Sequence, residues 1–321
     1  MPQREGSPWQ GLGAVFLKEI SDNFTSARMR VLEWLVILTA CAALYAALQD
    51  IRATTAEDPF LFLRLFTKSR DPLPSFVSLL GFLVPLVAIG LGFDAVNGEQ
   101  NRRTLSRILS QPIYRDALLF GKFLAGLATL AVSLVALFLL VIGLGLLLLG
   151  VPPSTEELAR GLMFLVITLA YAGVWLALAM LLSTVFRSPA TAALVALGIW
   201  LFLAMLWPAL APAVAAVIAP PDPRYAMLGL QTPGTLLWQT ALSRISPSTL
   251  YGEAVVAMLN PDVRALGPLF LEQLQGAVIG SPLPLGQSIL IAWPQIVSLI
   301  AGMIMLYVIG YVAFQRQEVR A

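Results

Sequence analysis

Residues Val132–Gly150 read VSLVALFLLVIGLGLLLLG, a run without a single charge. Such a run needs lipid or a large core around it, and about 20 apolar residues suffice for a helix to span a bilayer. Six segments of this kind occur, roughly Val31–Leu48, Pro74–Phe93, Leu118–Gly150, Leu162–Leu182, Ala190–Leu210 and Ser288–Phe314. The third and sixth exceed the needed length, which implies tilt or a run into the interface. Strands of a transmembrane barrel would alternate apolar and polar residues over about ten positions. These runs are unbroken and rich in Leu, Ala and Val, which suits helices. With 58% apolar residues and a mean hydropathy of +0.83, the chain falls in the membrane class.

Six spans put both termini on one side. If that side is the cytoplasm, twelve of the 20 Lys and Arg residues lie in the short inner segments. The positive-inside rule therefore predicts inner termini, although the Arg64–Lys68–Arg70 cluster opposes it locally. No signal peptide is expected, because the first apolar run follows a mixed-charge stretch without a cleavage site. Before the first span, Leu12, Val15, Phe16, Ile20 and Phe24 recur at helical spacing, with Lys18, Asp22 and Thr25 on another face. Residues 9–28 thus read as a helix at the inner interface, or as one packed on the protein's own core. Residues 211–287 form the largest non-spanning piece. Thr249–Leu259 and Ala265–Ile279 read there as two helices of an outer cap, its apolar residues facing a partner subunit or lipid headgroups.

A charged block separates the second and third spans: GFDAVNGEQNRRTLSRILSQPIYRDALLFGK, Gly92 to Lys122. It holds five Arg or Lys and three Asp or Glu residues, in a chain only 12% charged. Asn97–Gly98 is a turn signal, or the helix simply continues through it. Glu99–Ser110 then reads as a short amphipathic helix, with Leu105, Ile108 and Leu109 as its apolar patch and Arg102, Arg103 and Arg107 as its charge. Gln111–Pro112 ends it, since the residue before proline disfavours helical geometry. Lys122 lies one or two turns inside the third span and can extend back toward the headgroups. The block reads as a loop that fixes topology or as a docking element able to push the spans. Asp94, Glu99 and Asp116 favour docking, because topology does not need them.

Several chemistries are excluded. The chain has no histidine, so histidine-ligated haem or zinc is ruled out, and its one cysteine, Cys41, cannot form an intramolecular disulfide. Gly121–Lys122 is followed by Phe123 and lacks the preceding glycine of a phosphate-binding loop. The chain is therefore not expected to hydrolyse ATP. No intramembrane serine–lysine spacing or deep carboxylate pair supports an enzyme. Few ionisable residues lie within the spans, unlike a proton-coupled carrier. That points to an apolar or amphipathic substrate, or to one whose passage is lined by small residues and backbone; hydroxyls such as Thr39, Ser133 and Thr168 are further candidates to line a path. Glu33, near the start of the first span, is expected to pair with Arg30 at i,i+3.

The charged block resembles that of ABC-2-type ABC exporter permeases, especially the branch with the nitrous-oxide-reductase maturation permease. The matching positions are Asp94, Glu99, Thr104–Leu105, Ile108–Leu109–Ser110, Pro112, Arg115 and Gly121–Lys122. Arg103 stands where the family carries glycine. The opening GAVFLKEISDNFTSARM, with Lys18–Glu19, is similar to the family's N-terminal interfacial helix. The likeness covers roughly residues 10–210 and the last span. It implies one transmembrane domain over residues 1–321, an all-α polytopic membrane protein of six transmembrane helices. An N-terminal interfacial helix and a cytoplasmic coupling region at 94–117 complete it. By resemblance, Glu99, Arg102, Arg103, Thr104, Leu105, Ile108 and Leu109 contact an ATP-binding subunit, with Lys18, Glu19, Asp94, Arg115 and Lys122 in support. ATP and Mg would be bound by that subunit, with no cofactor in this chain. The other implied partners are a second permease copy and membrane lipid; an extracytoplasmic protein is a further possible partner and nucleic acid is not. The setting would be the cytoplasmic membrane. Two functions follow: an exporter's permease, or a module passing force to an extracytoplasmic partner.

Overall fold

A computed structural model describes residues 9, 11–53, 60–69, 74–102, 114–150, 152–227, 232–267 and 282–316. Every regular element among them is helical. The helices are α1 (Leu12–Thr25), α2 (Ala27–Ala53), α3 (Leu61–Thr67), α4 (Phe76–Gly92), α5 (Asn97–Asn101), α6 (Arg115–Leu149) and α7 (Thr155–Val185). Then come α8 (Pro189–Leu201), a π turn (Phe202–Leu206), α9 (Trp207–Ile218), α10 (Pro223–Met227), α11 (Pro233–Ser243), α12 (Pro247–Leu259) and α13 (Leu285–Arg316). Six helical stretches are long and apolar enough to cross a membrane: Met29–Gln49, Phe76–Asn101, Arg115–Leu148, Thr155–Val185, Pro189–Ile218 and Leu285–Arg316. The protein is a multi-pass membrane protein.

The fourth span, α7, is the hub. Its most apolar stretch is 83% buried, against 11% for the fifth span and 17% for the sixth. It packs on α4, α6, α12 and α13. Its start is sharply defined by a capping box: the Ser154 hydroxyl accepts from the Glu157 amide, and the Glu157 carboxylate accepts from the Ser154 amide. The other Glu157 oxygen takes the amide of Phe62 at 2.8 Å. That bond ties down α3, a buried helix between the first two spans that hydropathy alone does not reveal. Arg160, fully buried, donates to Glu156, to the carbonyls of Met258 and Leu283, and to the Ser288 hydroxyl. One guanidinium fork thus joins α7, α12 and the start of α13.

Proline in a span leaves a carbonyl without its helical donor. Pro85 leaves that of Gly81, which accepts instead from the Tyr171 hydroxyl at 3.0 Å. In the π turn, Trp207 N–H reaches back five residues to Phe202, and Pro208 has no N–H for Leu203. The Leu203 carbonyl accepts from the buried Ser246 hydroxyl at 2.6 Å. Repaired in this way, the fifth span runs to Ile218, past the Leu210 boundary expected from hydropathy.

The segment between the fifth and sixth spans also departs from expectation. Leu250, Tyr251, Ala254, Val255 and Met258 of α12 are buried against α7 and α13, so this helix belongs to the protein's own core rather than to an outer cap. Of the expected helix Ala265–Ile279, residues 265–267 are not helical and the remainder lies outside the described residues. Glu253 meets Arg244 at 2.9 Å and Gln295 at 2.8 Å, which fastens α12 to the turn before it and to α13.

Candidate functional site

The end of the molecule where the second span meets the third is built around Lys122. It sits on the third turn of α6, and its side chain is only 5% exposed. The neighbouring residue explains why α1 comes so close. A Cβ at Gly121 would stand 2.9 Å from Val15 Cγ1, so only glycine lets α1 lie against α6 at this depth. Further along, Asn23 Nδ2 donates to Thr129 Oγ1 at 3.1 Å, and Trp9 packs edge-on against Phe120. The stripe of Leu12, Val15, Phe16, Ile20 and Phe24 is the face turned inward, and Lys18, Asp22 and Thr25 are exposed.

With α1 held there, Lys122 Nζ lies 2.8 Å from Glu19 Oε1 and 2.8 Å from Glu99 Oε1. One ammonium thereby bridges α1, α5 and α6. Lys18 forms the rim, 2.8 Å from Glu19, 3.0 Å from Asp22 and 4.0 Å from Glu99. Burial opposes the charged form of Glu19, but the Lys122 ammonium, with Lys18 behind it, holds its carboxyl below the usual range. For Lys18 burial likewise opposes charge, and Glu19 and Asp22 overcome it, raising its pKa above that of an ordinary lysine. A polar cavity of about 640 Å³ opens over the cluster, lined also by Asp94 and Arg102.

Helix α5 is pinned from its other side. The amides of Val96 and Asn97 donate to Ser183 Oγ at 3.0 and 3.2 Å. Asn97 Nδ2 donates to the Phe186 carbonyl at 3.0 Å, and Asn101 Nδ2 to that of Arg187 at 3.1 Å. Of the two readings of Asn97–Gly98, the helical one holds: a short turn interrupts the helix at residues 93–96, and buried Asn97 opens its next segment because the end of α7 supplies its partners. Sequence reading missed Asn97, Asn101 and Ser183. The one available signal was two asparagines flanking Glu99 beside a membrane boundary. Asp116 is another such tie, accepting from Tyr311 at 2.9 Å and from Gln315.

Of the residues expected at a coupling site, Lys18, Glu19, Glu99 and Lys122 meet in one cluster, with Asp94 and Arg102 on the same cavity. Arg115 begins α6, away from that cavity's lining. Arg103, Thr104, Leu105, Ile108 and Leu109 lie outside the described residues, as does the expected helix beyond Arg102. Among the described residues no group of His, Cys, Asp or Glu is placed to hold a metal ion. The cluster offers fixed charge and mechanical connection: displacement of α5 bears on α6 through Lys122 and on α7 through Ser183.

Comparison with known proteins fits this architecture. The model of the ABC-2 family transporter proteins matches residues 13–319, and the chain belongs to that family. It is 32% identical over 139 residues to a probable ABC transporter permease protein NosY of Stutzerimonas stutzeri, covering 41% of this chain and 48% of the relative. A probable NosY permease of Pseudomonas aeruginosa is 44% identical over 59 residues, or 18% of this chain and 22% of the relative. The chain thus spans about half the length, or less, of these curated relatives.

Proposed function

We propose that this chain is the transmembrane subunit of an ATP-driven exporter in the cytoplasmic membrane, with both termini on the cytoplasmic side. ATP is hydrolysed in a separate ATP-binding subunit, which docks on the segment that α5 begins. The observation that carries this reading is the bridge from Lys122 to Glu19 and Glu99. A surface loop needed only for topology has no use for a buried lysine shared by three helices. Arg102, exposed where α5 ends, is positioned to meet an acidic surface. The apolar faces left uncovered on the fifth and sixth spans suit a second permease copy, identical or related. The cargo is amphipathic, in keeping with spans poor in ionisable groups.

Reversing charge at Arg102 and Arg103 (both to Glu) tests the docking. Recovery of the co-expressed ATP-binding subunit with the purified permease should fall at least tenfold, with membrane insertion unchanged. Undiminished recovery would sink the proposal.

A further inference from the structure

A second cavity lies apart from the charged cluster, between α2, α4 and α6. It measures about 270 Å³, near the small end of ligand sites, which run roughly from 300 to 1,000 Å³. Met29, Val36, Val84, Leu134, Leu137 and Leu140 give it an almost wholly apolar wall. From Leu130 to Leu140 it follows α6 for about 15 Å. Its volume suits one alkyl chain and not the two chains of a phospholipid.

Glu33 stands in this wall, half-buried, one turn into the first span. A carboxylate among apolar side chains is costly unless something answers its charge. The expected ion pair with Arg30 does not form among the described residues. Glu33 Oε1 accepts from the neutral Ser133 hydroxyl at 3.1 Å. The other hydroxyls considered for a path are turned to their own helices: Thr39 donates to the Leu35 and Val36 carbonyls, and Thr168 to that of Phe164. A carboxyl group and a long apolar wall therefore coincide at this groove.

We propose that the groove binds a single-chain amphiphile with a primary ammonium head. The chain lies against Val36, Val84 and Leu137, and the ammonium donates to the Glu33 carboxylate. In a site this apolar, a charge-assisted hydrogen bond separates an amine from a neutral alcohol of equal length. This deepens the exporter reading by naming a substrate class. It rests on that reading only for what the binding serves, and the binding itself is testable without any ATPase. Its failure and the failure of ATPase docking are thus separate results.

The test uses the full chain in phosphatidylcholine nanodiscs, whose headgroup has no primary amine. Photoactivatable dodecylamine and dodecanol analogues are compared at equal membrane concentration, and labelled peptides are mapped. The amine should label α2 and α6 at the groove with a half-saturating concentration at least tenfold below that of the alcohol. Glu33→Gln should remove that difference and leave alcohol labelling unchanged. Ala136→Trp, at an exposed position on the groove wall, should cut labelling by both probes without touching Glu33. Equal labelling by amine and alcohol would mean that the groove takes any chain, including that of a bilayer lipid, and would overturn the proposal. So would an amine preference that survives Glu33→Gln, or labelling unaffected by Ala136→Trp.

Discussion

The molecule has a buried cation at each end of its helical bundle, and the two are held in opposite ways. Arg160, at the start of α7, spends its fork on two backbone carbonyls, a serine hydroxyl and one carboxylate. Lys122, near the start of α6, meets two carboxylates from two other helices. Guanidinium geometry fixes direction as well as distance, whereas an ammonium is a point charge that can exchange partners. Lys18 beside it shares Glu19 and approaches Glu99. The Arg160 end is thus a fixed joint, and the Lys122 end is one whose pairs can trade while charge stays balanced.

The largest expected effect comes from breaking the fixed joint. Arg160→Ala leaves the Met258 and Leu283 carbonyls buried without this donor, and should cost about 3–5 kcal/mol. Thermal unfolding of the detergent-solubilised protein reads this, and Arg160→Lys should recover only part of the loss. Lys122→Met should cost somewhat less, about 2–4 kcal/mol, since Glu19 and Glu99 can relax toward the polar cavity. A loss equal to that of Arg160→Ala would erase the contrast between the two ends.

The same variant bears on acid sensitivity. Glu19 has a lowered pKa in the folded protein, so its contribution is complete above the ordinary carboxylate pKa. It disappears as pH falls through the lower folded value. Melting temperature followed downward from neutral pH should show that loss in the native protein and a smaller one in Lys122→Met. The smallest effect belongs to Asn97→Ala, which removes one side-chain bond to the end of α7 and should cost about 1–2 kcal/mol. Stimulation of the partner ATPase by the permease should fall further than stability does, if α5 transmits motion to α7.

What could be read from sequence follows from what lipid and protein interiors have in common. Both are apolar, so hydropathy found the six spans yet could not tell the hub α7 from the exposed fifth span. For the same reason Thr249–Leu259 resembled a surface cap while lying in the core. Charges were easier to read, because each needs a reason to be near a membrane. Lys18, Glu19, Glu99 and Lys122 were singled out one by one, but their meeting depends on Gly121 admitting α1, a contact across about a hundred residues. Glu33 was assigned to Arg30 on spacing alone. The choice of Ser133 reflects how α2 and α6 are placed, which no local pattern encodes.

The π turn at Phe202–Leu206 also sets the phase of the fifth span. A helix that accommodates one extra residue shifts everything beyond it by about 100° about the axis. The residues of α9 therefore face a different direction from the one a continuous α-helix would give them. The Ser246 hydroxyl on Leu203 locks that setting from outside the span. The Leu242 carbonyl, which accepts from Trp207 Nε1 at 2.7 Å, holds the same setting one residue beyond the turn, so the direction in which Trp207–Ile218 faces is fixed by partners that lie later in the chain.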